Sequence, residues 1–203
     1  MYLPKQFDRP EHAGTLMREH PLASLVTTDD SGFPYITHLP LKLEEEGGAP
    51  RRLLGHCARG NPLWGYLQQR PLALASFMGP QAYMSPKVYA DLQRVPTWCY
   101  LAVQVRVQAR LLEGEAAKDA LLKQLIGDHE PPYAAQWRAL PEDYTERMLQ
   151  GIVAFELAVV DLQCAVKLNQ HRPEAHDAMH QAYSAGGHQE QALAQWMQRL
   201  GMV

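Results

Sequence analysis

The clearest pattern along the chain is a strict alternation of apolar and polar residues from Thr97 to Leu112. One set reads Cys99, Leu101, Val103, Val105, Val107, Ala109 and Leu111; the other reads Trp98, Tyr100, Ala102, Gln104, Arg106, Gln108 and Arg110. Side chains of a strand point alternately to its two faces, so this predicts a long antiparallel strand with one buried and one polar face. Leu22 to Thr28, rich in β-branched residues, predicts another strand, and Asp29-Asp30-Ser31-Gly32 its turn. Pro34 to Leu43 then returns antiparallel as a hairpin, Glu44 to Pro50 reads as an acidic, Gly-rich loop, and Arg51 to Cys57 as a third strand. Leu72 to Met78 and Gln81 to Ser85 are two further strands, divided by Gly79-Pro80. Ile152 to Leu162 is an apolar strand interrupted by Glu156.

Helical periodicity marks the remainder. Glu11 to Glu19 is a short helix closed by His20-Pro21. Asn61 is a good helix N-cap and Pro62 suits the first helical position, which predicts a helix to about Leu67. Ser85-Pro86 repeats that signature, with a short helix through about Leu92. Glu113 to Ile126 is amphipathic, with Leu121, Leu122, Leu125 and Ile126 on one side, and Pro141 to Gln150 is another helix. Two helices close the chain, Pro173 to Tyr183 and Gln189 to Leu200, separated by Gly186-Gly187. About six strands in hairpin order, with helices inserted late, predict an α+β fold that is mainly β: a closed or nearly closed antiparallel barrel with peripheral helices. Residues 1–172 would form the barrel and 173–203 a helical extension packing on it.

Composition narrows the class. The chain has 203 residues, 46% of them hydrophobic, enough for a sizeable core. No apolar run approaches the roughly 18 residues of a membrane span. Met1 to Pro10 lacks the basic-then-apolar pattern of a secretion signal. Three widely spaced cysteines, Cys57, Cys99 and Cys164, show no CxxC pairing, so a reducing cytoplasm is the expected location and no zinc is expected. The formal net charge is −3, without a basic arm, a poor electrostatic footprint for direct DNA binding.

Candidate chemistry concentrates at Arg59-Gly60-Asn61-Pro62. A strand runs into a capped helix start there, and the helix dipole, free N–H groups and the Arg59 guanidinium suit a phosphate; an ordinary structural cap is the alternative. Trp98 and Tyr100 on the polar face of the long strand call for cover by a helix, a second subunit or a flat ligand. His38 and His56 either meet a ligand through a ring nitrogen or serve a structural role. Lys167, Gln170 and Arg172 offer donors to an anionic or carbonyl-rich ligand, or form a solvated strand end. His176 and His180 have metal-compatible spacing, but no further ligand is marked, so they read as a solvated helix face. No GxGxxG, HExxH or GxSxG motif occurs, and Cys57 and Cys99 read as small buried side chains.

Several segments together resemble the PaiB-like family of FMN-binding negative transcriptional regulators. They are Met1-Tyr2-Leu3-Pro4 with Phe7, Pro21 to Thr27, His38-Leu39-Pro40-Leu41, Gly55-His56-Cys57-Ala58-Arg59-Gly60-Asn61-Pro62 with Trp64, and Gly79 to Pro86 with Tyr89. Val95-Pro96-Thr97-Trp98, Ile152-Val153 with Phe155-Glu156, and Lys167-Leu168 with Gln170 and Arg172 complete the set. The resemblance implies a split β-barrel and a homodimer holding FMN between subunits. It also implies cofactor contacts from Thr27, His38, His56, Ala58, Arg59, Asn61, Gln81, Ser85, Trp98, Lys167 and Gln170. Catalytic residues are not marked. The alternative to a regulatory protein is an FMN-dependent oxidoreductase acting on a small molecule.

Overall fold

The computed structural model describes residues 1–91 and 93–203. Its strands are β1 (Leu22–Thr28), β2 (Pro34–Pro40), β3 (Lys42–Glu46), β4 (Ala49–Ala58), β5 (Leu72–Met84), β6 (Thr97–Leu112) and β7 (Ile152–Lys167). Its α-helices are α1 (Ala13–Glu19), α2 (Leu63–Gln69), α3 (Glu115–His129), α4 (Tyr133–Ala139), α5 (Glu142–Gln150), α6 (His176–Ser184) and α7 (His188–Arg199). The strands form one antiparallel sheet in the order β2-β1-β5-β6-β7-β4-β3, the α+β split-barrel class that the alternation predicted.

Two compact units divide the chain. One comprises residues 1–20, 77–104 and 163–203; the other comprises residues 21–76 and 105–162. In the first, Leu16 and Met17 of α1, Phe77 and Met84 of β5, Leu101 of β6 and Met179, Leu193 and Met197 of the last two helices are buried. In the second, Leu25, Leu41, Leu53, Leu63, Leu67, Phe155 and Leu157 are buried.

Strands β1 and β6 have the predicted bounds, and the alternation of β6 is visible in its burial: Cys99, Leu101, Val103, Val105 and Val107 are buried while Trp98, Arg106, Gln108 and Arg110 are exposed. Three expectations are corrected. The acidic stretch from Glu44 is not a loop: Lys42 to Glu46 pairs antiparallel with β4, and only Gly47-Gly48, both at positive φ, turn. A two-residue Gly-Gly connection matches the twist of a hairpin, and Arg52 neutralises Glu44 across it. Gly79-Pro80 does not divide β5, which runs on to Met84. A Cβ on Gly79 would lie 3.1 Å from Leu16 Cδ2 and 3.2 Å from the Leu101 carbonyl, so close packing, not a turn, accounts for this glycine. After Ser85 only a single 3-10 turn, Pro86–Val88, forms, with the Lys87 N–H bonded to the Ser85 hydroxyl; Leu92 lies outside the described residues.

The interruption of β7 at Glu156 also has a cause. Glu156 sits opposite Leu54 and accepts from Arg110 at 2.9 Å and from Arg52 at 3.4 Å. Two guanidinium groups compensate the one carboxylate in the otherwise apolar stretch from Ile152 to Val160.

Candidate phosphate-binding loop

Strand β4 delivers His56 and Ala58 opposite Ala154 and Ile152 of β7, and the chain then turns through Arg59-Gly60 into α2. Asn61 organises this turn. Its N–H bonds to the Ala58 carbonyl, its side-chain oxygen accepts the Leu63 N–H at 2.9 Å and the Tyr35 hydroxyl at 3.1 Å, and its amide nitrogen reaches Thr37 Oγ1 at 3.4 Å. The side chain therefore caps the start of α2, as its position before a proline predicted, and ties it to β2.

Arg59 turns the other way. Its backbone N–H bonds to the Gly151 carbonyl, its Nε donates to the Gln150 carbonyl at 2.7 Å, and Nη2 reaches the Ile152 carbonyl at 3.4 Å. The Trp64 indole closes over the Arg59 carbonyl at 2.9 Å. A guanidinium so held still has N–H donors to offer. It lines a cleft of about 250 Å³ together with Trp64, Gln68 and Lys118.

Lys118 was not anticipated. It is 8% exposed, and its ammonium donates to the Leu149 carbonyl at 2.9 Å. Burial lowers its pKa, and the Arg59 charge lowers it further, against a smaller opposing effect of Glu115. Two cations lining one cleft, one of them buried, form a donor set that an anion would stabilise on both counts. The available signal was helical spacing, since Lys118 precedes Leu121 by one turn and so shares its inward face.

The remaining candidates in this unit are separately placed. His38 Nδ1 meets Ser24 Oγ at 3.0 Å, on residues paired across β1 and β2. His56 is desolvated, which holds its pKa below the ordinary value, and its Nδ1 is buried without a partner among the described residues. Thr27 is buried, its hydroxyl also unpartnered among the described residues, and it lines a mostly apolar cleft of about 520 Å³ with Leu72, Leu74, Arg106 and Val160. Gly60 has open space where a Cβ would stand.

In the other unit, the Trp98 indole donates to Gln81 Oε1 at 2.9 Å and packs edge-on against Tyr83, while the Gln81 N–H bonds to Gln189. Lys167 donates to Thr97 Oγ1 at 2.8 Å and its ammonium stands 5.8 Å from the centre of the Tyr100 ring. Gln170 is turned inward onto its own loop: its oxygen accepts the Leu168 N–H, and its nitrogen donates to the Val166 carbonyl. Ser85 caps its own turn. His176 is not part of a solvated face: it is buried, with Nε2 at 3.2 Å from the Asn169 carbonyl. Among the described residues there is no group of three or more His, Cys, Asp or Glu side chains that could hold a metal ion.

Comparison with known proteins places this loop in context. Residues 1–161 match a family described as "Putative FMN-binding domain". The chain is 35% identical over 179 residues to the "Protease synthase and sporulation protein PAI 2" of Bacillus subtilis (strain 168), covering 86% of this chain and 84% of that one. Two solved structures share the fold at low identity. The flavocytochrome Anf3 from Azotobacter vinelandii has a TM-score of 0.63 and 15% identity, over 83% of this chain and 73% of that one. The FAD and heme binding protein from Mycobacterium smegmatis has a TM-score of 0.60 and 18% identity, over 78% of this chain and 71% of that one.

Proposed function

The chain belongs to this FMN-binding domain family, in company with the PaiB-type protein of Bacillus, and on that premise we propose that it binds FMN and acts as a flavin-linked regulatory protein. The observation that carries the reading is the pairing of Arg59 with Lys118 on one cleft. The FMN phosphate is a dianion, and it needs charge-assisted donors held in place before it arrives. The Gln150 and Ile152 carbonyls supply that fixity for Arg59, and the Leu149 carbonyl supplies it for Lys118. Bound FMN would contribute a redox-active ring able to accept and return electrons. The chain's own contribution is to anchor the phosphate with donors already held in place, and the phosphate in turn would favour the charged form of Lys118 against its burial and the Arg59 charge.

The wider cleft at Thr27 supports a flat apolar ligand or a second copy of the chain. Its lining is mostly apolar, and Leu72 and Val160, which help to form it, are 70% and 60% exposed. Exposed aliphatic side chains beside a cleft suit a subunit contact, so the proposal includes a homodimer. Light scattering that gives a monomer at micromolar concentration with flavin bound would overturn that part. Direct sequence-selective DNA binding is not proposed, because the net charge of −3 leaves little to neutralise phosphates. Three buried free thiols suit a reducing cytoplasm. Among the described residues no helix is long and apolar enough to cross a membrane.

The test is a parallel titration with FMN and riboflavin, which differ by the phosphate. Losing a charged hydrogen bond to phosphate costs on the order of 2 kcal/mol, or roughly thirtyfold in affinity. Arg59→Ala and Lys118→Met should each weaken FMN binding by about that factor and leave riboflavin binding nearly unchanged. Equal losses for both ligands would mean that these residues act through folding, and the phosphate assignment would fail.

A further inference from the structure

Independently of the flavin reading, we propose that the unit formed by residues 1–20, 77–104 and 163–203 contains a second ligand site, a pocket for the carboxylate of a small organic acid. The cavity measures about 200 Å³, below the roughly 300–1,000 Å³ of ordinary cofactor pockets, and so suits a compact molecule. Its residues come from places far apart in the chain, and several belong to segments that carry the family resemblance without an assigned role: Phe7, Tyr89, Val95, Thr97 and Arg172; Lys167, for which the resemblance implies a cofactor contact, lines it as well.

Unpaired donors identify the ligand as an acceptor. Asn169 is 5% exposed and lines the cavity. Its side-chain oxygen accepts the Tyr89 hydroxyl at 3.1 Å, and its amide nitrogen is buried with no partner among the described residues. Its backbone is in the left-handed region at φ 63°, unusual outside glycine although asparagine tolerates it, and its carbonyl meets His176 at 3.2 Å. Arg94, also in the lining, has a buried Nε with no partner among the described residues. Leaving a buried N–H unsatisfied is costly, and both residues that carry one line the same small cavity, where an acceptor would satisfy them.

Charge identifies the acceptor as an anion. Arg94 is paired with Asp91 at 2.8 Å and Arg172 with Glu174 at 3.9 Å. Lys167 has neutral partners, the Thr97 hydroxyl and the Tyr100 ring. Among the described residues no carboxylate lines the pocket, so it holds a net positive charge that one anion would balance. Phe7, Met84 and Val95 give the rest of the wall an apolar character, which favours an anion with a hydrocarbon body over a bare inorganic ion. Cys99 faces the same cavity, but burial pushes its thiol pKa up, so it contributes shape and not a nucleophile.

Benzoate is a suitable probe, with benzamide as its neutral counterpart and inorganic phosphate as the bare anion. Titration calorimetry of the full chain in phosphate-free, low-salt buffer should show saturable benzoate binding, at least tenfold weaker binding of benzamide, and no comparable binding of phosphate. Lys167→Met should weaken benzoate at least tenfold. Asn169→Asp keeps the side-chain size and the acceptor for Tyr89 but sets a like charge in the pocket, and it should abolish binding while the circular dichroism spectrum stays unchanged. Benzoate affinity should be the same with and without saturating FMN. No benzoate binding, equal binding of benzamide, phosphate binding as tight as benzoate, insensitivity to both substitutions, or displacement of benzoate by FMN would each overturn the proposal.

Discussion

Tyr35 donates its hydroxyl to the side-chain oxygen of Asn61, the same oxygen that caps the Leu63 N–H, so one amide joins β2 to the start of α2. Removing the two partners should have unequal effects. Asn61→Ala deletes the cap and both side-chain bonds and should cost about 1–2 kcal/mol, whereas Tyr35→Phe should cost about 1 kcal/mol. Because they share one acceptor, the double variant should lose less than the sum in urea titrations. Strict additivity would mean that the Tyr35 bond contributes nothing in solution.

Acid should weaken the fold through histidines that are neutral inside it. Burial holds His56 below its ordinary pKa of 6.5, and burial outweighs the attraction of Glu19 at His20. The folded state therefore takes up these protons later than the unfolded chain does. Their contribution is complete above pH 6.5 and is lost progressively as pH falls below it. His56→Gln should flatten the decline in melting temperature between about pH 7 and pH 5. An unchanged slope would remove His56 as a source.

Gly55 lies where β4 passes buried side chains. A Cβ there would stand 2.6 Å from Leu41 Cδ2 and 3.1 Å from Phe155 Cε2, and both of those residues are fully buried. Gly55→Ala should destabilise by about 1–3 kcal/mol through overpacking. Pairing it with Leu41→Val, which withdraws the closer methyl, should recover part of the loss by thermal melting.

The three cysteines should be silent in the native protein. Burial raises the pKa of Cys57 and Cys99, and burial with the nearby Asp8 and Glu11 pushes Cys164 up to about 12. Native protein should react with a thiol-directed disulfide reagent only at the rate of unfolding, and denatured protein should react at all three sites at once. A fast native phase would show that one thiol is reached without unfolding.

Much of the fold was legible because local pattern and tertiary demand agree. The alternation from Thr97 to Leu112 and the β-branched run from Leu22 gave both strands with their ends. The closing helices were equally clear, since Leu193, Trp196 and Met197 repeat at helical spacing and are all buried. Strand β3 was hidden because its Glu44-Glu45-Glu46 run looks solvated until Arg52 and Arg51 are seen across the hairpin. Helix α4 carried too short a pattern to stand out. At the candidate site, the capping role of Asn61 could be read from its neighbours, but the direction of Arg59 could not. Its partners are carbonyls at Gln150 and Ile152, and backbone acceptors leave no trace in side-chain pattern. Lys118 was missed for a related reason: a lysine on a helix is assigned to solvent unless its partner, here the Leu149 carbonyl, is known.

The sheet order carries a consequence for how the chain is made. Strand β4 finds β3 at once, across two glycines, but its other edge pairs with the start of β7, roughly a hundred residues later, and such long-range closure is slow. During translation at roughly 5–20 residues per second, the finished hairpin waits on the order of ten seconds with a row of unpaired backbone groups exposed. A nascent chain arrested anywhere before Ile152 emerges therefore offers an additional open strand edge to its neighbours, and aggregation of such fragments is a hazard built into this topology.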